Sequence, residues 1–340
     1  MYMMDMKTRE PLENAKFKVY FVLRGGNEYL SRGELNALIE TYMYDTLLKC
    51  FTMTCISSIN SKEALKIAQR AAFIKEAGLL KTIQHVDAID IETLMKELES
   101  KIVHLSIQKS TISKELAKSI LRKLSVVTGS QGIGESRIIF TDGYLILGKK
   151  IYVKKQEKTT WINMNKPFRR SIEITPDIAR VLINLTRVKE GDLLIDPFAG
   201  TGSILLEAWS MGIRGVGVDI DWAIAEGMAR NIRFANTNSI TVLGDSRFIV
   251  YREVDHVATD LPYGKGASTY GVEIRSLYED FMSRLSEYLS RNGYACFMIP
   301  IWLEEHVDEV ISRYGFYLIE RYYDYVHGSL IRVINVVRKW

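Results

Sequence analysis

The residue types that could do chemistry stand at the ends of four apolar runs. The run Leu193-Leu194-Ile195 stops at Asp196-Pro197-Phe198, turns through Gly200-Thr201-Gly202 and resumes with helical spacing at Ile204, Leu205 and Ala208. It reads as strand, tight turn and helix. Glycines at such a turn adopt backbone angles denied to other residues and let a ligand lie against the main chain, while the helix N-terminus offers free N–H groups. This suits a nucleotide-like ligand, with Asp196 placed to hold a cationic amine. The spacing is not G-x-G-x-x-G, and no Lys-Ser or Lys-Thr follows, so neither the dinucleotide fingerprint nor a phosphate loop is present. A second run, 214–218, ends in Asp219-Ile220-Asp221, where an acid would bind the two hydroxyls of a ribose. A third, 240–243, ends in Gly244-Asp245-Ser246, where a carboxylate could accept a hydrogen bond from an adenine amino group. Asp219 alone is as readily a helix cap; three acids at three successive strand ends are a far stronger signal. The fourth run, 254–259, ends in Asp260-Leu261-Pro262-Tyr263-Gly264.

Around these residues the pattern alternates strand and helix. Thr175-Pro176-Asp177 starts a helix over 178–188, and further helices are expected at 222–235, 276–289 and 303–314, with a buried strand at 294–299. Residues 316–325 and 329–337 read as a closing antiparallel hairpin around His327-Gly328. Upstream, 16–23 and 50–59 read as strands, 31–42 and 61–77 as helices, with Gly78 as the stop of the second. A helix at 91–98, a strand at 101–107 and a helix at 113–124 follow. Residues 137–155 form a hairpin about Asp142-Gly143. The polar stretch 156–170, with Lys166-Pro167, is the linker, which predicts an N-terminal α+β region over 1–155 and an α/β domain over 171–340.

The chain has 340 residues, 47% of them hydrophobic, enough for two cores. Its net charge of +4 is unevenly spread: residues 101–160 carry 12 Lys/Arg against 4 Asp/Glu. Such a basic segment suits a polyanion, and a solvated lysine-rich surface is about as good an account of it. The Met-rich start has no apolar core, so neither a signal peptide nor a membrane span is expected, and a cytoplasmic protein follows. Cys50, Cys55 and Cys296 form no C-x-x-C pair and sit in apolar surroundings, which predicts reduced, buried thiols and no metal site.

The pattern D-P-F-x-G-x-G resembles the S-adenosyl-L-methionine motif of Rossmann-like class I methyltransferases. On that resemblance Asp196, Pro197, Phe198, Gly200, Thr201, Gly202, Asp219, Ile220, Asp245 and Ser246 hold the cofactor. Asp-Leu-Pro-Tyr at 260–263 resembles the D/N-P-P-Y/F/W motif of enzymes that methylate exocyclic amino groups of nucleic-acid bases, with Leu261 where proline is usual. The residue types suit the chemistry. An aryl amine is a poor nucleophile because its lone pair is delocalised into the ring. The Asp260 carboxylate and the Leu261 carbonyl can each accept an N–H and aim the lone pair at a sulfonium methyl. Tyr263 offers a face on which an extruded base can stack, and Pro262 stiffens the turn. No cysteine accompanies the motif, as C5-pyrimidine methylation would require, and His256, inside a strand, reads as structural.

Residues 166–339 are similar to the archaeal THUMP-containing tRNA guanosine N2-methyltransferases that act at position 10 of tRNA. Thr175-Pro176, Asn184-Leu185, VKEGDLLIDPFAGTGSILLEA, GVDIDW, Gly227, Asn231 and TDLPYG carry the resemblance. It implies a Rossmann-like sheet with a terminal antiparallel hairpin, preceded by a smaller α+β THUMP-type region that grips tRNA by shape and backbone. Lys149, Lys150, Lys154 and Lys155 of the hairpin, with Arg169 and Arg170 of the linker, are the expected RNA contacts, linker solvation being as good an account of the last two. One or two methyl groups, and the presence or absence of a small activating protein partner, are equally compatible with these residues. A DNA or ribosomal-RNA base-amino methyltransferase and a non-catalytic tRNA-binding subunit stand as alternatives, whereas a thiouridine synthase is disfavoured because it needs a phosphate loop.

Overall fold

The computed structural model describes residues 16–108, 112–129, 135–154, 162, 165–171, 173–264, 273–328 and 330–340. Its contacts divide the chain into two compact units: residues 1–24, 44–69 and 74–154 form the first, and 25–43, 70–73 and 155–340 the second. A boundary drawn along the sequence at 155 leaves 25–43 and 70–73 with the N-terminal region, whereas these segments pack within the second unit.

The first unit is built on β1 (Val19–Leu23), and the helix that follows it, α1 (Glu28–Thr41), belongs to the second unit. Then come β2 (Leu48–Cys50), β3 (Thr54–Ser57), α2 (Ser61–Arg70), β4 (Ile74–His85), α3 (Ile91–Glu97), β5 (Ile102–Gln108), α4 (Lys114–Lys123), β6 (Val127–Thr128), β7 (Ser136–Thr141) and β8 (Tyr144–Val153). Among the described residues its sheet runs β2-β3-β1-β4-β8-β7-β5-β6. Three expectations fail here, the third being reduced thiols at Cys50 and Cys55. The helix over 61–77 ends at Arg70, and β4 takes the chain from Ile74 onward, pairing with both β1 and β8. Gly78 is therefore not a helix stop. It lies in the sheet under the Tyr20 ring, where a Cβ would meet Tyr20 Cε1 at 2.3 Å. The expected strand 50–59 is instead part of a hairpin, β2–β3, whose register places Cys50 opposite Cys55 with Cα atoms 4.0 Å apart. That cross-strand proximity lets the two thiols close a disulfide, so only Cys296 is a free, buried cysteine among the described residues. The Asp142-Gly143 turn is as expected, both residues taking positive φ between β7 and β8.

The second unit continues through α5 (Pro176–Leu185), β9 (Leu193–Asp196), α6 (Ser203–Ser210), β10 (Arg214–Asp219), α7 (Trp222–Phe234), β11 (Ile240–Leu243), β12 (Val254–Asp260), α8 (Ile274–Tyr288), β13 (Leu289–Pro300), α9 (Glu304–Arg313), β14 (Phe316–His327) and β15 (Leu330–Lys339). The strand order is β11-β10-β9-β12-β13-β15-β14, with β9 to β13 parallel and the closing hairpin antiparallel. This is an α/β doubly wound sheet with a terminal antiparallel hairpin. Its strands are near-continuous apolar runs because helices cover both faces. One core joins α5 and α6 to the sheet through Leu182, Leu185, Leu194 and Ile204; the other joins α8 and α9 through Phe281, Leu285, Phe297 and Val310. No helix among the described residues is long and apolar enough to cross a membrane, and no cluster of three potential metal ligands occurs among them.

Candidate active site

The parallel strands end on one edge of the sheet, which gathers the chemistry-bearing residues there. β9 delivers Asp196. The turn after it bends through Gly200 (φ 52°) and Gly202 (φ 82°), left-handed angles that favour glycine, before α6 begins. Asp196 is 1% exposed, and its Oδ1 accepts from the Thr259 hydroxyl at 2.7 Å and from the Phe198 N–H at 3.2 Å. Burial pushes its pKa up to about 7, and the Asp260 and Asp219 charges add to the rise. Asp219, at the end of β10, accepts from the Gly200 N–H at 3.1 Å and from the Asp221 N–H at 2.9 Å. Burial raises its pKa as well. The turn is thus pinned to the second strand by the very carboxylate expected to face a ribose, and Ile220 follows it, 41% exposed.

The next strand end departs from expectation. Asp245 is clasped by its neighbour Arg247, with Nε at 3.0 Å from Oδ1 and Nη2 at 2.6 Å from Oδ2, and this pairing lowers its pKa. An acid at i and an arginine at i+2 close this fork locally. The Ser246 hydroxyl donates to the Pro197 carbonyl at 2.5 Å and so ties this loop to the glycine turn.

β12 delivers the Asp-Leu-Pro-Tyr turn. The Tyr263 hydroxyl donates to Asp260 Oδ1 at 2.5 Å and fixes the carboxylate's orientation. Burial raises the Asp260 pKa to about 6, against the Tyr263 hydrogen bond and the charge of Arg332. The Pro262 carbonyl accepts from the Tyr278 hydroxyl of α8 at 2.9 Å. Leu261, where proline is usual, is 1% exposed and packs among Leu277, Tyr278 and Phe281, so side-chain burial anchors the turn that a second proline ring would otherwise stiffen. Of these supporting groups Tyr278 and Thr259 carry no sequence signal, because their partners are distant along the chain. Asn231 does carry one: it clamps the main chain of Phe168 through two 2.9 Å bonds and also donates to the Thr201 carbonyl, while Gly227 makes room for the Phe168 ring. Lys166, beneath the same turn, donates to Thr201 Oγ1 and Ser203 Oγ and pairs with Glu173.

Among the expected RNA contacts, Arg169 and Arg170 are exposed, with Arg170 close enough to Asp219 to lower its pKa. Lys150 is 1% exposed, with its ammonium 3.3 Å from Glu135, and is not placed to contact RNA. Adjacent strand residues point to opposite faces, so Lys149 and Lys150 cannot both meet a ligand. Lys149 pairs with Glu99, which also takes Lys81. Lys154 is half-buried and Lys155 lies outside the described residues. His256 is structural: its Nδ1 lies 2.9 Å from the Thr186 carbonyl.

Asp196, Asp219 and Asp260 stand at three strand ends on this edge, each with a pKa raised by burial, and together they favour a cation. S-adenosyl-L-methionine, a nucleoside with a sulfonium and an ammonium, fits there, and Asp196 and Asp219 are the residues that would hold it. Residues 164–312 match the RMKL-like methyltransferase domain family, UPF0020. A tRNA (guanine(10)-N2)-dimethyltransferase of Methanothermobacter thermautotrophicus is 35% identical over 206 residues, 59% of this chain and 60% of that protein. A probable tRNA (guanine(10)-N2)-dimethyltransferase of Methanothermococcus thermolithotrophicus is 31% identical over 48% of this chain and 98% of its own length. Among solved structures, TrmN from Thermus thermophilus shares the fold, with a TM-score of 0.56 and 16% identity over 95% of this chain and all of that one. The site geometry and these similarities together make the chain a member of the archaeal tRNA (guanine(10)-N2)-dimethyltransferase family.

Proposed function

We propose that the chain transfers methyl groups from S-adenosyl-L-methionine to the exocyclic N2 of a guanosine in tRNA, at nucleotide 10, once or twice. The observation that carries this reading is the oriented Asp260 carboxylate at the strand end beside the glycine turn. When bound, the cofactor supplies an electrophilic methyl on sulfur. Asp260 accepts an N–H of the amine, sets its lone pair toward that methyl and takes the proton shed as nitrogen gains a carbon substituent. Leu261 contributes its carbonyl as the second acceptor, and Tyr263 holds Asp260 in place and borders the base. The first unit grips the tRNA as a THUMP-type region, with Lys149 and Lys154 at the phosphates, and Lys155, Arg169 and Arg170 of the second unit contact phosphates as well. Labelled transfer to unmodified tRNA transcripts, followed by mass analysis of the nucleosides, tests this. N2-methylguanosine or N2,N2-dimethylguanosine is expected; a clear preference for DNA, or binding of tRNA without transfer, overturns it.

Asp219 has a separable role. Asp219→Ala removes the ribose acceptor and the anchor of Gly200, and a hydrogen bond to a charged group is worth about 1.5–3 kcal/mol. Calorimetry should show S-adenosyl-L-methionine binding weakened about 10- to 100-fold. Unchanged affinity would take the carboxylate off the ribose.

A further inference from the structure

Arg332 is a buried charged group near the catalytic turn with no part in the methyl transfer itself. It lies in β15, opposite Pro300 of β13 on one side and Asp324 of β14 on the other. Met298, two residues before Pro300, is the partner of Asp260 across β12–β13. Arg332 therefore stands just beyond the level of Asp260 at the edge of the sheet where the parallel strands end. It is 8% exposed, and its buried Nε has no hydrogen-bond partner among the described residues. Asp324 Oδ2 lies 3.8 Å from Nη1, within ion-pair range but too far for a hydrogen bond. Its charge acts on Asp260, Tyr263 and Asp324 together, opposing the rise in pKa that burial gives each of them. A buried guanidinium with a donor left unmade is costly, and such a group at a reaction centre calls for an acceptor supplied by the ligand.

Guanine has one in the right place. Its N1–H and N2–H₂ donors adjoin the O6 acceptor on a single edge. A carboxylate set against the donors with a guanidinium against O6 complements that edge, which is how an extruded base is read. We propose that Arg332 donates to O6 of the target guanine while Asp260 accepts from N2–H, so that Arg332 selects guanine over bases lacking a 6-oxo group. This rests on the guanine-N2 reading above. A base without O6 leaves the guanidinium buried and unpaired, and sites built to bond a substrate group discriminate strongly against analogues without it.

The test compares tRNA transcripts carrying guanosine or 2-aminopurine riboside at the target nucleotide; both present a 2-amino group, and the second lacks O6 together with N1–H, so the discrimination owed to Arg332 is the part that Arg332→Met loses. For the unaltered protein, kcat/KM should favour guanosine by about 10²-fold or more. In Arg332→Met this ratio should fall to within about 10-fold of unity, and Arg332→Lys, which keeps a donor, should restore part of it. The ratio is taken within one preparation, so a partly folded variant does not distort it. An unchanged ratio in Arg332→Met, or equal losses on both transcripts as a phosphate contact or a mere effect on Asp260 would give, overturns the assignment. Absence of guanine-N2 product from the unaltered protein would instead be a failure of the functional reading itself.

Discussion

Asp260→Ala should reduce methyl transfer by about 10³-fold while S-adenosyl-L-methionine affinity changes by less than about threefold. The size follows from what the carboxylate does. It accepts an N–H of a weakly nucleophilic amine and takes its proton, and both roles matter most as nitrogen loses its delocalisation. Among the described residues of the turn none replaces it, since Tyr263 donates to Asp260 and Pro262 has its carbonyl taken by Tyr278. The affinity should persist because the glycine turn is held by Asp219, Asp196 and Asn231. Equal losses of activity and affinity would show that Asp260 belongs to the cofactor cradle. The same carboxylate gives a pH signature. Its pKa is raised to about 6 by burial, so below that value it is protonated and cannot take the proton shed by the amine. In the unaltered protein kcat/KM for tRNA should rise about tenfold per pH unit below 6 and level off above it. A profile flat from pH 5 to 8 would remove Asp260 as the acceptor.

How far the sequence anticipates this site depends on the range of the interactions involved. The turn 196–202, Asp219 and the 260–263 turn are legible because each is a strand end followed by a local signature, and the structure brings all three to one edge of the sheet. The Asp142-Gly143 turn is legible for the same reason. The start of β4, residues 74–77, is misread as helix because 61–77 has continuous helical spacing; in the fold the helix stops at Arg70 and the chain pairs with β1 and β8 instead. The Cys50–Cys55 disulfide is missed because it depends on the register of a hairpin whose turn has no strong signal. Asp245 is legible as an acid at a strand end, but not its capture by Arg247. Arg332 is invisible along the sequence: an arginine within the apolar run 330–337 acquires meaning only when β13 and β15 align it beyond Asp260.

The largest effect on stability should come from Glu34, far from the catalytic turn in sequence. Glu34 lies in α1 and is fully buried in the second unit. Its Oε1 accepts from the Ala72 N–H at 2.7 Å and from Asn184 Nδ2 at 2.8 Å, and its Oε2 from the Phe73 N–H at 2.7 Å. Asn184 accepts from Arg70 Nε at 3.0 Å, and Arg70 in turn donates to the Val188 carbonyl at 2.6 Å and pairs with Glu190. One carboxylate thus satisfies two buried backbone donors in 70–73 and one amide in α5, the helix that leads into β9 and Asp196. Glu34→Ala leaves all three without that acceptor and Arg70 with a disturbed partner, and removing one member of a buried polar network typically costs about 3–5 kcal/mol. Urea unfolding should register a loss of that size, with Glu34→Gln intermediate because it keeps one acceptor oxygen. A midpoint unmoved in Glu34→Ala would mean that 25–43 and 70–73 are not integral to the second unit. A loss confined to stability, with methyl transfer intact at low temperature, would make Glu34 a structural tie that supports the catalytic sheet without taking part in its chemistry.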